Sequence, residues 1–232
     1  MTTAEVIVPF RDRGIDPLRR ANLDRVLLMW RDYGYEPIVA DDGRGGADQF
    51  NRSAAFNAGA AATDAEVLIF AESDMLVARA QVDGAVDLAA QVSGMVIPFD
   101  EYRYLSPEDS ERARSGDLGP AAAVPLWTMD RGRSIGAITV MSRHTLDSAG
   151  GFDEDFLGNW YDDNAAKRAF EVCAGPTRWI PGPAFHLYHL PGHTGEHLTA
   201  ADKAATAANR LRFRRYQTAR TPEQIRALVG RR

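Results

Sequence analysis

The sequence predicts one α/β domain, a mostly parallel central sheet flanked by helices, with a helical extension at the C-terminus. Three observations predict it. Strand-like and helix-like segments alternate through the first 71 residues, the order that lays crossover helices on a parallel sheet. Val67-Leu68-Ile69-Phe70 is a continuous apolar run without polar alternation, the mark of a strand buried on both faces. A chain of 232 residues, 45% hydrophobic and 25% charged, has the composition of a globular protein, and α/β folds of this length form one core.

The elements follow in order. Glu5 to Pro9 is a first strand, closed by a proline that cannot donate to a ladder. After the loop Phe10 to Gly14, Asp16-Pro17 begins a helix as N-cap and first residue, and Leu23, Val26, Leu27 and Trp30 give it an apolar stripe. Glu36 to Ala40 is the second strand, turned by Asp41-Asp42-Gly43, and Asn51 to Ala62 is an alanine-rich helix. The buried strand ends abruptly at Glu72-Ser73-Asp74. Gln81 to Ala90 reads as helix and Gly94 to Phe99 as strand. Asp100 to Pro125 has no sustained apolar periodicity and reads as a long mobile cover with a short helix near Pro107 to Arg114. Strand returns at Ile135 to Met141, and a short helix capped by Ser142 ends at Gly150-Gly151. A helix follows Asn164 and runs through Val172. Ala184 to Leu190 reads as the last strand, and Ala200 to Gly230 as helix broken near Thr221-Pro222.

Composition narrows the function classes. The formal net charge of -5 argues against a nucleic-acid partner, whose phosphates want a basic surface. A single cysteine, Cys173, excludes an internal disulfide and fits a reducing compartment; it reads as a small core residue. No apolar run approaches the ~20 residues of a membrane span, and the N-terminus lacks the regions of a signal peptide, so the expected location is cytoplasmic.

Two clusters carry chemistry. Glu72 and Asp74 flank Ser73 at the C-terminal end of a buried strand, where open α/β sheets bind ligands; acids there suit a divalent cation that also holds phosphate oxygens. The alternative is a polar turn in which Asp74 caps the next helix. Four of the five histidines, His186, His189, His193 and His197, lie between positions 186 and 197. A structural zinc site or plain cleft lining competes with a catalytic cation there. On a straight strand His186 and His189 face opposite ways, so both can hold one metal only if the chain bends. Asp162-Asp163 is either a dipole-favoured helix start or an acid pair with a catalytic task.

In their order, these segments resemble nucleotide-sugar glycosyltransferases of the GT-A (Rossmann-like) fold, within the large bacterial family 2 and its β-1,4-galactosyltransferase-like relatives. Pro9-Phe10-Arg11-Asp12-Arg13 is similar to that group's Pro-Phe-Arg-Asn-Arg, and Phe50-Asn51-Arg52 with Asn57-Ala58-Gly59 to its Phe-Asn-Arg…Asn-Val-Gly. Glu72-Ser73-Asp74 stands where the family has Asp-x-Asp. Gly151-Phe152 followed by Trp160 to Asn164 resembles its acceptor and base segment, and His186 with His189 stands where a Met and a His complete its metal site. The matches span Val6 to His189. Glu72 departs from the family's first Asp, His186 from its Met, and Trp160-Tyr161 from its Gly-Gly, which leaves the transferred sugar open.

The resemblance implies a metal-dependent, inverting transfer of a sugar from a UDP-sugar to an acceptor hydroxyl on a protein, glycan or lipid-linked sugar. It implies Mn²⁺ or Mg²⁺ held by Asp74, His189 and His186, and a general base at Asp162 or, with a one-residue slip, Asp163. Pro9, Phe10, Arg11, Arg13, Asn51, Arg52, Asn57, Glu72 and Ser73 would line the nucleotide, with Asp41 or Asp42 accepting from the uracil N–H. Arg11 is the first choice of the two loop arginines. Trp160 and Tyr161 would offer flat faces to a sugar. The division that follows is a transferase domain over 1–198, with a nucleotide half (1–99), a mobile loop (100–134) and an acceptor and metal half (135–198), then a helical extension over 199–232. Two rival functions remain: a nucleotidyltransferase, against which the absence of a glycine-rich phosphate loop counts, and a non-catalytic nucleotide-sugar-binding module.

Overall fold

The computed structural model describes residues 2–46, 48–117, 125–130, 135–192 and 195–230. Its first half is the expected alternation: β1 (Ala4–Pro9), α1 (Leu18–Asp32), β2 (Ile38–Ala40), α2 (Arg52–Ala61) and β3 (Val67–Ala71). There follow β4 (Met75–Val77), α3 (Arg79–Gln91), β5 (Val96–Ile97), β6 (Glu101–Tyr104), α4 (Pro107–Ser115), β7 (Trp127–Asp130), β8 (Ile138–Ser142) and α5 (Arg143–Ala149). The chain closes with α6 (Asp162–Cys173), β9 (Arg178–Trp179), β10 (Pro183–His186), α7 (Ala200–Thr218) and α8 (Pro222–Val229).

The central sheet has the order β2-β1-β3-β8-β5-β9, and β8 alone runs against the other five strands. Every residue of β3 is buried, as its unbroken apolar run requires. α2 packs closely on β1 because Gly59 has no side chain: a Cβ there would lie 2.3 Å from Ile7 Cγ2. Phe56, Phe70, Phe152 and Phe170 stack edge-on or tilted at centroid distances of 4.9–5.4 Å, joining α2, β3 and α6 in one core. Cys173 packs against this core half-buried, and burial pushes its thiol up, away from the reactive thiolate.

A second sheet, β4-β10-β6-β7, was not legible in the sequence. Much of the segment expected to be an irregular loop belongs to it: β6 pairs with β10 and β7, and α4 follows almost where the short helix was expected. Strand β6 reads Glu-Tyr-Arg-Tyr, too short and polar to show a hydrophobic period. The rest of the expected cover, 118–124 and 131–134, lies outside the described residues. β4 explains why Asp74 caps no helix: the chain re-enters a strand directly after it. β10 also stops at His186, four residues before the expected end, and this early stop creates the bend on which a shared metal site depends.

Candidate active site

Asp74 sits in the short turn between β3 and β4, at the C-terminal edge of the central sheet, with its carboxylate buried. β10 pairs antiparallel with β4, and Leu187 N–H donates to the Asp74 carbonyl at 2.9 Å, so His186 arrives beside Asp74. The chain then folds back, and His189 Nε2 comes within 3.2 Å of His186 Nε2 and 3.1 Å of Asp74 Oδ2. Three ligand atoms of Asp74, His186 and His189 lie within 4.8 Å of one another. The two histidines converge because β10 has already ended.

Residues that the sequence did not assign to the site hold this fold-back. Asp16 does not cap α1, which begins one residue later than expected with Pro17 at its N-cap. Its carboxylate accepts from Leu18 N–H at 2.9 Å and from Leu190 N–H at 2.7 Å, tying the histidine loop to the start of the helix. Asn22 donates to the Tyr188 carbonyl at 3.2 Å, and buried Ser110 on α4 accepts from Tyr188 N–H at 2.8 Å. Between Asp16 and Asn22, Arg19 reaches 3.6 Å from Asp74 Oδ2 and 3.3 Å from His189 Nδ1. Asp16, Arg19 and Asn22 recur every three residues, a polar stripe of helical period that was the available signal.

The electrostatics suit a divalent cation. Burial alone would raise the Asp74 pKa, but His186, His189 and Arg19 outweigh it and hold the carboxyl well below the usual range. Burial lowers His186 to about 4 against the pull of Asp74, so at neutral pH its ring is uncharged and keeps a lone pair. Asp74 Oδ1 is buried with no hydrogen-bond partner, and an acceptor left so is costly unless something electropositive meets it. His189 Nδ1 lies 2.7 Å from the Leu190 carbonyl, a bond that leaves Nε2 facing Asp74. One carboxylate and two imidazoles fit a divalent cation.

Beside this cluster, Arg52 at the head of α2 bridges two acids. It pairs with Glu72 through Nη1 and with Asp162 through Nη2 at 2.6 Å and Nε at 2.8 Å. The Asp162 carboxylate is thereby fixed at the start of α6. Asp163 turns instead toward Gly136, where a Cβ would lie 2.8 Å from its Oδ2. Burial, then the neighbouring Asp162, raises the Asp163 pKa. Just before the pair, Trp160 and Tyr161 have φ of 76° and 74°, the only described non-glycine residues in the left-handed region. Such backbone is strained for aromatic residues and gathers at functional sites. Trp160 is 49% exposed, while Tyr161 packs at 5.8 Å against Phe213 of α7.

An open cleft lies beside the Asp74 cluster, lined by its chain neighbours Ser73 and Leu190 and by Pro9, Phe10, Arg11 and Phe50. Several residues expected to face it are tied to other partners. Arg11 is bound to Asp42 at 2.8 Å and to the Gly46 and Asp48 carbonyls, so its fork braces the loop after β2, while Arg13 pairs with Asp202 at 3.7 Å. Asp42 also accepts from Asn51 N–H at 2.7 Å, whereas Asp41 is exposed and accepts from Gly43 N–H. Asn51 caps α2 and donates to the Glu154 carbonyl. Asn57 is buried and exchanges hydrogen bonds with the backbone of Phe152. These amides latch the segment after α5 onto α2, a task set by pairing across roughly a hundred residues that local sequence cannot display.

No family model matches the chain, and no curated protein matches its sequence. Solved structures do match. A Drosophila β-1,4-galactosyltransferase 7 mutant, determined with manganese, UDP-Gal and xylobiose, superposes with a TM-score of 0.51 at 16% identity, over 77% of this chain and 65% of that one. Glucosyl-3-phosphoglycerate synthase of Mycobacterium tuberculosis, with Mn²⁺, UDP and phosphoglyceric acid, gives 0.52 at 15% identity over 90% and 78%. A mannosyltransferase of Pyrobaculum calidifontis, with GDP-Man and Mn²⁺, gives 0.51 at 14% over 98% and 68%. The chain has the GT-A fold. Within GT-A architecture, β3 and the turn at Asp74 stand at the sheet edge where such domains open their ligand crevice. The chain spans 65% of the length of that galactosyltransferase.

Proposed function

We propose that the protein is a metal-dependent glycosyltransferase that moves a sugar from a UDP-sugar to an acceptor hydroxyl with inversion. The observation that carries this reading is the buried Asp74–His186–His189 cluster, with its unpartnered Asp74 Oδ1, beside an open cleft lined by Ser73 and Leu190. A bound Mn²⁺ would supply charge neutralisation for the departing diphosphate. Two imidazoles favour Mn²⁺ over the oxygen-seeking Mg²⁺.

The chain's own residues do the rest. Phe10, Arg13 and Phe50 line the nucleotide side of the cleft, and exposed Asp41 is the candidate for the base edge. Asp162, oriented by Arg52, accepts the acceptor proton as its oxygen bonds the anomeric carbon. The bond from that carbon to the diphosphate breaks, and its electron pair leaves with the phosphate. One backside displacement inverts the centre. A specific observation favours Asp163 as the alternative base: its raised pKa lies nearer the working pH of a proton acceptor.

The test is turnover of UDP-sugars to UDP in Mn²⁺. Asp74→Asn should abolish turnover and weaken UDP binding in Mn²⁺ to the level seen in EDTA. UDP affinity that ignores both EDTA and the substitution overturns the metal reading. Tight UDP binding without any turnover would instead point to a binding module.

A further inference from the structure

We propose that Arg19 is a second cationic ligand for the donor's diphosphate, acting on the leaving group from beside the metal ligands. This rests on the glycosyl-transfer reading of the site. Arg19 belongs to the first turns of α1, is 40% exposed at its side chain, and lines the cleft with Phe10, Arg13 and Ser73. Among the described ion pairs it is the arginine that reaches Asp74.

The geometry around His189 decides its role. For Nε2 to turn a lone pair toward a cation, the ring proton must sit on Nδ1, which gives it to the Leu190 carbonyl 2.7 Å away. Nδ1 then cannot accept from Arg19, whose Nη2 lies 3.3 Å off. What remains is Asp74 Oδ2 at 3.6 Å, too long for a good hydrogen bond, on a carboxylate the cation also claims. The guanidinium is left with N–H groups facing the cleft and no strong acceptor. A diphosphate held by the cation brings oxygens to that place, and a guanidinium fork matches them. A departing nucleoside diphosphate also carries more negative charge than one divalent ion balances, so a second cation has work to do. Of the two arginines in the loop before α1, Arg11 is committed to Asp42 at 2.8 Å, and Arg13 points toward Asp202.

Calorimetric binding of UDP, UMP and Mn²⁺ alone to the full chain tests this, beside Arg19→Gln and Arg19→Lys. Expected in Mn²⁺ is a ten- to hundredfold weaker UDP affinity in Arg19→Gln, the size of a lost charge-assisted hydrogen bond. Arg19→Lys should recover part of it. UMP, which lacks the terminal phosphate, should bind all three proteins alike, and Mn²⁺ alone should bind Arg19→Gln no more weakly than wild type. Unchanged UDP affinity in Arg19→Gln overturns the proposal while leaving the transferase reading intact. Equal losses for UMP and UDP overturn it in favour of a merely structural arginine. A wild-type protein that binds no UDP in Mn²⁺ overturns both.

Discussion

At the residue scale, adjacent carboxylates are set apart by what each touches. Asp162 is clamped by Arg52, while Asp163 is pressed against Gly136 with its pKa raised by burial and by Asp162. Two consequences separate them. If Asp162 is the base, Asp162→Asn should lower transfer by about two to four powers of ten and spare UDP affinity, since the amide keeps shape but takes no proton. Comparable loss in Asp163→Asn alone would move the role by one residue. For stability the sign is fixed by linkage. Between the ordinary 3.8 and its raised folded value, Asp163 holds a proton that the unfolded chain has released, so folding weakens as pH rises through that window. Asp163→Asn removes this term. Its melting temperature should exceed that of wild type at pH 7, and the gain should vanish below pH 3.8. A gain independent of pH would show that charge is not its cause.

At the element scale, the start of α6 is the informative piece. Tyr161 stands at its N-cap in a left-handed conformation with no side-chain cap, and Trp160 before it has the same backbone. Left-handed backbone costs an L-residue roughly 1–2 kcal/mol, which glycine escapes. Asn209 of α7 holds the strained turn by donating to the carbonyls of Leu157, Asn159 and Trp160. Strain kept in place beside a proposed catalytic acid points to use of the exposed Trp160 face. Trp160→Gly should therefore raise the melting temperature by about 2–4 °C per kcal/mol recovered while weakening acceptor use. A lower melting temperature with unaltered acceptor kinetics would remove the case for Trp160 as a sugar platform.

At the scale of the whole molecule, the C-terminal helices are bound into the site's support. Buried Asp153, in the segment latched by Asn57, takes Arg212 of α7 at 2.6 and 2.9 Å and the Tyr216 hydroxyl at 2.7 Å. Breaking a buried pair costs about 3–5 kcal/mol when the remaining charge is orphaned, and less here because Arg212 keeps Asp155 at 2.7 Å. Asp153→Ala should accordingly lower global stability in urea unfolding by about 1–3 kcal/mol, the cost of leaving the Tyr216 hydroxyl without its buried acceptor. It should also slow transfer, since the 157–160 turn hangs from the same helix. Stability within about 0.5 kcal/mol of wild type would show that the Asp153 contacts do not hold α7 to the domain.

The sequence by itself determined the order β1-α1-β2-α2-β3, the buried strand with an acid pair at its end, the paired helix-start acids and the histidine cluster. Each is a local pattern: a hydrophobic period, a strand end, a dipole-favoured acid. It determined which residues could do chemistry, not which of them meet. Tertiary structure alone decided that His186 and His189 converge on Asp74, because that depends on where pairing to β4 and β6 releases β10. It bound Arg11, Asp42, Asn51 and Asn57 to partners that lie up to 103 residues away in the chain. It brought Arg19 to the site, and it stacked the short polar strand β6 in a second sheet. Contacts between distant segments are chosen by the complementarity of whole surfaces, and no window of sequence contains both sides of such a contact.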